Sequence, residues 1–173
     1  MRQSGTKLVI ALSGLAVTAG ALSWWYHYAA THRATRFWGP ELAGLIARPS
    51  HVEVRLLDTA VSPSQSQLLP ITQGESIDLS HARGMVHLRH ALMTDRNYNW
   101  GESIDSSTVV WKWALRFLYD SQQGLVLLSD DLTAIGKYQS ESEQLNAISC
   151  RPMADSLAFY FRDLGLLDAS KAR

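Results

Sequence analysis

From Leu8 to Tyr28 the chain carries 21 residues without an Asp, Glu, Lys or Arg. As a helix this run is about 31 Å long, close to the hydrocarbon thickness of a bilayer. Small residues (Gly14, Ala16, Ala19, Gly20, Ala21) fill its middle. Trp24, Trp25, Tyr26 and Tyr28 crowd its far end, where amphipathic rings favour the headgroup region. The pattern predicts an N-terminal transmembrane helix over residues 1–30, with the lipid bilayer as its partner through residues 8–28. A cleaved signal peptide is the competing reading, because Ala19-Gly20-Ala21 is a small-x-small site behind the apolar stretch Leu8–Thr18. Cleavage would leave Leu22 to Tyr28 as an exposed aromatic start, which favours the uncleaved single-pass anchor. A helix buried in a soluble domain would need a larger core than this chain can build.

Beyond the run, residues 31–50 read as a juxtamembrane linker. Pro40 can open a short helix within it, with Leu42, Leu45 and Ile46 along one side, and Pro49 ends that helix. The linker is expected to be a spacer, and the folded domain to begin near Phe37. Val52, Val54 and Leu56 alternate with Glu53 and Arg55 and predict a strand with one wet face. Thr59–Ser66 reads as a surface loop, and Leu68–Ile71 and Ser76–Leu79 as short strands. Ser80 can cap a helix in which Ala82, Met85, Val86, Arg89, Leu92 and Met93 recur at helical spacing. Asp95–Ser107, rich in Asn, Asp, Gly and Ser, reads as a loop.

Val109–Tyr119 is the strongest strand, and simple alternation puts Trp111, Trp113, Leu115, Phe117 and Tyr119 on one face. Leu125–Leu128, Leu132–Tyr138 and Leu145–Ser149 follow as strands separated by polar turns. Pro152 opens a closing helix with Met153, Leu157, Phe161 and Leu164 as its buried stripe, and Gly165 can end it. The predicted fold class is α+β: a transmembrane helix, then a two-layer domain over residues 51–168 in which two helices cover an antiparallel β-meander, and a tail over residues 169–173. Alternating β-α-β units are missing, which excludes a parallel nucleotide-binding sheet.

Composition narrows the chemistry. Sixteen basic residues balance sixteen acidic ones among 173, so no excess of positive charge draws the chain to nucleic acid. Setting aside Arg2 and Lys7 leaves 14 basic against 16 acidic residues, without a polybasic lipid-binding patch. Arg2, Lys7 and the amino terminus precede the run while Arg33 and Arg36 follow it, a bias that favours a non-cytoplasmic domain. One cysteine excludes an intrachain disulfide and any multi-cysteine metal site.

Four constellations remain as candidate chemistry. His87 and His90 stand three apart on the predicted helix, with His81 before and Asp95 after, and two imidazoles on one face can begin a metal site. The Glu of a zinc-protease signature is missing, so a polar helix face is the favoured reading. Cys150 precedes Arg151-Pro152 at a strand-to-helix junction, where helix amides and a guanidinium favour thiolate; burial in apolar surroundings is the opposing and preferred expectation. Asp130-Asp131, with Asp120 nearby, pairs carboxylates that more often line a bend. Among the aromatics, Trp100 in the expected loop is the best candidate for an exposed binding ring. P-loop, dinucleotide, nucleophile-elbow and C-x-x-C motifs are absent from the sequence.

The sequence therefore predicts a membrane-anchored accessory or interaction domain, with a protein partner in or at the membrane and no cofactor, metal or nucleic acid. A small hydrolase or thiol enzyme using Cys150 or the His81–Asp95 region is the alternative. A ligand-binding domain using exposed aromatics is the third reading.

Overall fold

The computed structural model describes residues 3–57, 76–139 and 144–169. The expected loop Thr59–Ser66, the strand Leu68–Ile71 and residues 170–173 of the tail lie outside them. The protein is α+β. Helix α1 (Gln3–Ala47) is followed by strands β1 (His51–Leu56) and β2 (Ser76–Asp78), helix α2 (Met85–Leu92) and strand β3 (Asn99–Ser103). Strands β4 (Trp111–Tyr119), β5 (Gln122–Ser129), β6 (Ala134–Gln139) and β7 (Gln144–Ser149) come next, and helices α3 (Ala154–Asp163) and α4 (Leu166–Ala169) close the chain. The seven strands form one antiparallel sheet in the order β2-β1-β4-β5-β6-β7-β3.

The expected meander is β4 to β7. Asp120, at φ 51°, sits in the two-residue turn that returns β4 into β5, and Leu132, at φ 58°, lies in the turn between β5 and β6. Strand β3 occupies Asn99–Ser103, where the composition of turn formers predicts a loop, and it pairs with β7 at one edge of the sheet. An edge strand needs partners on one side only, so tertiary pairing overrides its weak propensity.

Alternation places Trp113, Leu115 and Phe117 on the helix-covered face, all buried in the main core. Trp111 departs from the expected single face. A register shift between Trp111 and Trp113 turns it to the other side, where it packs with Ala114, Leu127 and Ala134. Such a bulge moves every residue before it to the opposite face. Tyr119 is exposed at the strand end.

The helix layer holds more than the two expected helices. The second part of α1 lies across the sheet, with Ala34, Trp38, Leu42, Leu45 and Ile46 buried in the main core beside α2 and α3. The segment expected as a spacer is thus helical core. Gly39, at φ 77° and ψ 166°, breaks the helical path just before Pro40, whose missing amide suits a fresh helix start. Gly124 of β5 lies under this helix; a β-carbon there would stand 2.3 Å from Leu42 Cδ1, so only glycine permits the close approach. Ser80 does not cap α2, which starts at Met85 behind Gly84 with no side-chain cap. In α3, Met153 at the helix entrance, Leu157 and Phe161 are buried as the stripe predicts, while Leu164 is half-buried, and Gly165 follows the helix at φ 71°.

Candidate functional site

Two features stand out from the packed domain: an exposed apolar helix and a basic cleft. The helix is the first part of α1. Leu12, Leu15, Val17, Leu22, Trp24, Trp25, Tyr26 and Tyr28 are all exposed, Leu15 by 69%, Val17 by 73% and Tyr26 by 75%. These residues point in every direction around the helix axis, so no single face can hide them against the domain. Trp24 stacks on Tyr28 at 5.7 Å, and Tyr28 leans on His32 at 5.0 Å. Among the described residues no helix is long and apolar enough to cross a membrane. The side chains of residues 8–11, which open the expected span, lie outside the described ones.

The helix enters the core within two turns. The Asp95 carboxylate accepts the main-chain amides of Arg33 at 3.0 Å and Ala34 at 2.7 Å. The Trp38 indole donates to the Leu92 carbonyl at 2.8 Å, and the Tyr98 hydroxyl donates to the same oxygen at 2.6 Å. Phe37 meets Trp38, Tyr98 and Trp100, and Lys137 lies 5.5 Å over its ring. Partial burial lowers the Lys137 pKa. Arg33, Arg36 and Arg96 are exposed around this junction.

Trp100 belongs to this cluster. It is half-buried, its indole donates to the Asp95 carbonyl at 2.8 Å, and its ring stands 5.2 Å from Tyr98. Its ring therefore packs on the core rather than standing free as a platform.

The cleft lies at the other end of α1. It encloses about 350 Å³ and is lined by residues 49–52 at the start of β1, by residues 80–82, and by the first half of α2 through Arg89. His51, His81 and His87 are in its wall. Ser80 holds the wall together: its hydroxyl lies 2.6 Å from Asp78 Oδ1, 2.7 Å from His51 Nδ1, and accepts the Val52 amide at 3.0 Å. His51 Nε2 faces Glu53 Oε1 at 3.3 Å. A Ser–His–carboxylate chain is present, yet the hydroxyl is saturated. Its single proton goes to Asp78 Oδ1, and its lone pairs face the Val52 amide and His51 Nδ1, so it is a clip rather than a nucleophile. The Ser80 hydroxyl and amide hold the Asp78 carboxyl below its ordinary value.

The structure separates the other candidates. His87 and His81 share the cleft, whereas His90 is exposed outside its lining and Asp95, one turn beyond α2, accepts two amides inside α1. Among the described residues no three His, Cys, Asp or Glu side chains gather as a metal site. Cys150 is fully buried; its thiol donates to the Leu132 carbonyl at 3.2 Å. Burial, and then the charge of Asp131, push that thiol up to about 12. A thiol so raised stays protonated at neutral pH and is a poor nucleophile. Asp131 orders the β5–β6 turn through Ser129 and Thr133, and Asp130 pairs with Lys112 across the sheet. Partial burial pushes the Asp131 carboxyl up, but these hydrogen bonds outweigh it and the net shift is downward.

The cleft was not legible in sequence, because its walls come from two segments about thirty positions apart. Compared with protein-family models, with curated proteins and with solved structures, the chain finds no match in any of the three.

Proposed function

We propose that this chain is a membrane-anchored accessory or interaction domain, with residues 8–28 spanning the bilayer and the α+β domain held at its surface on the non-cytoplasmic side. The observation that carries this reading is α1 itself: apolar side chains exposed all round from Leu12 to Tyr28, then the same helix built into the core from Ala34. Each large apolar side chain moved from water into an apolar medium stabilises by about 1.5–3 kcal/mol, so such a helix favours lipid or a partner over water. A helix satisfies its own backbone polar groups, which lipid demands. Tyr28 and Ala34 are six residues apart, or about 9 Å along the axis, so the domain rides close to the headgroups. The partner is a protein in or at the same membrane, where shared anchoring raises the effective concentration.

Fractionation tests the reading. The full chain is expected to resist carbonate extraction from membranes and to keep its full mass. Release into the soluble fraction with a new N-terminus at Leu22 would contradict it.

A further inference from the structure

We propose that the arginines around the foot of the exposed helix, Arg33, Arg36 and Arg96, form a docking surface for anionic lipid headgroups. The inference rests on the reading of residues 8–28 as a span, and it names the class of lipid that the domain meets there.

Placement is the first argument. Arg33 and Arg36 are both exposed on α1, and at three residues apart they are neighbours on the helix surface. Asp95 accepts the amides of Arg33 and Ala34, which fixes the single turn Asp95–Asn97 beside α1 at this level. Arg96, exposed on that turn, is therefore carried to the level of Arg33. Tyr28, the last of the exposed aromatic rings, precedes Arg33 by five residues, or about 7.5 Å along the axis. The headgroup layer on each side of the hydrocarbon core is about 5–7 Å deep. With the rings at the edge of the hydrocarbon, the guanidinium groups stand at the depth of the lipid phosphates.

Availability is the second argument. Among the described residues Arg33, Arg36 and Arg96 join none of the ion pairs. Arg36 Nη2 lies 3.4 Å from His32 Nε2, a contact that occupies one of a guanidinium's five N–H donors at most. A guanidinium keeps its charge at any physiological pH, and its planar fork matches phosphate oxygens.

Charge asymmetry is the third. The chain as a whole balances sixteen basic against sixteen acidic residues. Where α1 meets Asp95–Asn97, three arginines surround a single carboxylate among the described residues, and its oxygens hold the two amides. Glu102, on the neighbouring strand β3, is paired with Arg151 at 3.4 Å. The next carboxylate along α1 is Glu41, past the Gly39 kink. A chain of zero net charge thus gathers a cationic surplus at the foot of its apolar helix, the end that meets the bilayer. An anionic lipid surface strengthens association by about fivefold for each such arginine. Positions 33, 36 and 96 meet only through the fold, so no basic run marks this surface along the sequence.

Electron paramagnetic resonance of the full chain reconstituted in phosphatidylcholine vesicles tests the assignment. The probe is a trace of spin-labelled phosphatidylglycerol or, separately, of spin-labelled phosphatidylcholine, and its motionally restricted fraction reports lipid held at the protein surface. A restricted fraction at least about twofold larger for phosphatidylglycerol is expected, and Arg33→Gln/Arg36→Gln/Arg96→Gln should remove most of that preference. Arg83→Gln, exposed at the opposite end of α2, should leave it unchanged. Should the triple variant fail to fold in a thermal melt, Arg36→Gln and Arg96→Gln should each lower the preference singly. A preference that survives these substitutions, or that Arg83→Gln lowers as much, would overturn the lipid surface and leave the arginines to an acidic protein, with the anchor still standing. A restricted fraction missing for both probes would mean that the helix does not enter lipid, and would overturn the anchor together with this inference.

Discussion

Asp95 holds the main chain of Ala34: the amide donates to Oδ1 at 2.7 Å, and the neighbouring Arg33 amide donates to Oδ2 at 3.0 Å. A helix ladder alone would direct these two amides at the carbonyls of Ala29 and Ala30. A carboxylate supplied from beyond α2 thus accepts two amides inside α1, as a capping side chain does at a helix start, at the point where the exposed helix becomes core. Replacing a capping acceptor by alanine costs about 0.5–2 kcal/mol, and Asp95→Ala should lower stability by that amount in urea melts. Asp95→Asn, which keeps one acceptor, should lose less. Unchanged midpoints in both variants would show that the contact contributes nothing.

The domain needs the second part of α1. Trp38, Leu42, Leu45 and Ile46 are buried in the main core. Losing such side chains costs about 2–5 kcal/mol each, which together is comparable to the usual total stability of about 5–15 kcal/mol. A chain beginning at Thr31 should show a cooperative melt by circular dichroism, and one beginning at Ser50 should show none. Cooperative folding of the shorter chain would make α1 an appendage after all.

Sequence alone conveyed the sheet better than the helix layer. Alternation in β1 and β4 and the polar turns between β4 and β7 were readable because the large apolar side chains of these strands gather mainly on the helix-covered face. Strand β3 was hidden by Asn99, Gly101 and Ser103, turn formers that tolerate an edge position. Trp111 was misplaced because a bulge leaves no mark in the period. Arg33, Arg36 and Pro40 gave residues 31–40 the look of a linker, although charged residues on the free side of a half-buried helix give the same pattern. Of the candidate site residues, His81 and His87 could be named in advance. Their meeting with His51 and Arg89 could not, since β1 and the approach to α2 come together only through the fold.

Gly124 reports on how closely α1 lies on the sheet. A β-carbon there would meet Leu42 Cδ1 at 2.3 Å and Leu45 Cδ1 at 3.0 Å, whereas at Gly101 the nearest neighbour, Asn99 Oδ1, is 4.0 Å away. Overpacking of this kind costs about 1–3 kcal/mol. Gly124→Ala should be destabilised accordingly in denaturant melts and Gly101→Ala much less. Equal effects would mean that the helix does not lie so close.

Cys150 gives a pH signature. Its thiol is raised to about 12 in the fold, against an ordinary value near 9.0. A raised pKa means that its contribution to stability is complete below about pH 9 and falls as the unfolded thiol ionises and pH climbs towards the folded value. The stability advantage of the native chain over Cys150→Ala should therefore narrow between about pH 8 and about pH 10.5. A difference that stays constant across that window would show a thiol with the same pKa in both states. Iodoacetamide should also label the folded chain slowly at neutral pH and the urea-unfolded chain quickly.

Because the native cysteine is buried, new cysteines can report on the exposed helix with little background. Leu15→Cys and Arg36→Cys are placed separately in the full chain, reconstituted in phosphatidylcholine vesicles, and treated with a membrane-impermeant maleimide during freeze–thaw so that both faces are reached. If the helix spans lipid, Arg36→Cys is labelled and Leu15→Cys stays unlabelled until SDS dissolves the vesicles. Equal labelling of the two positions in intact lipid would contradict the anchor and leave the apolar helix to a protein partner in water.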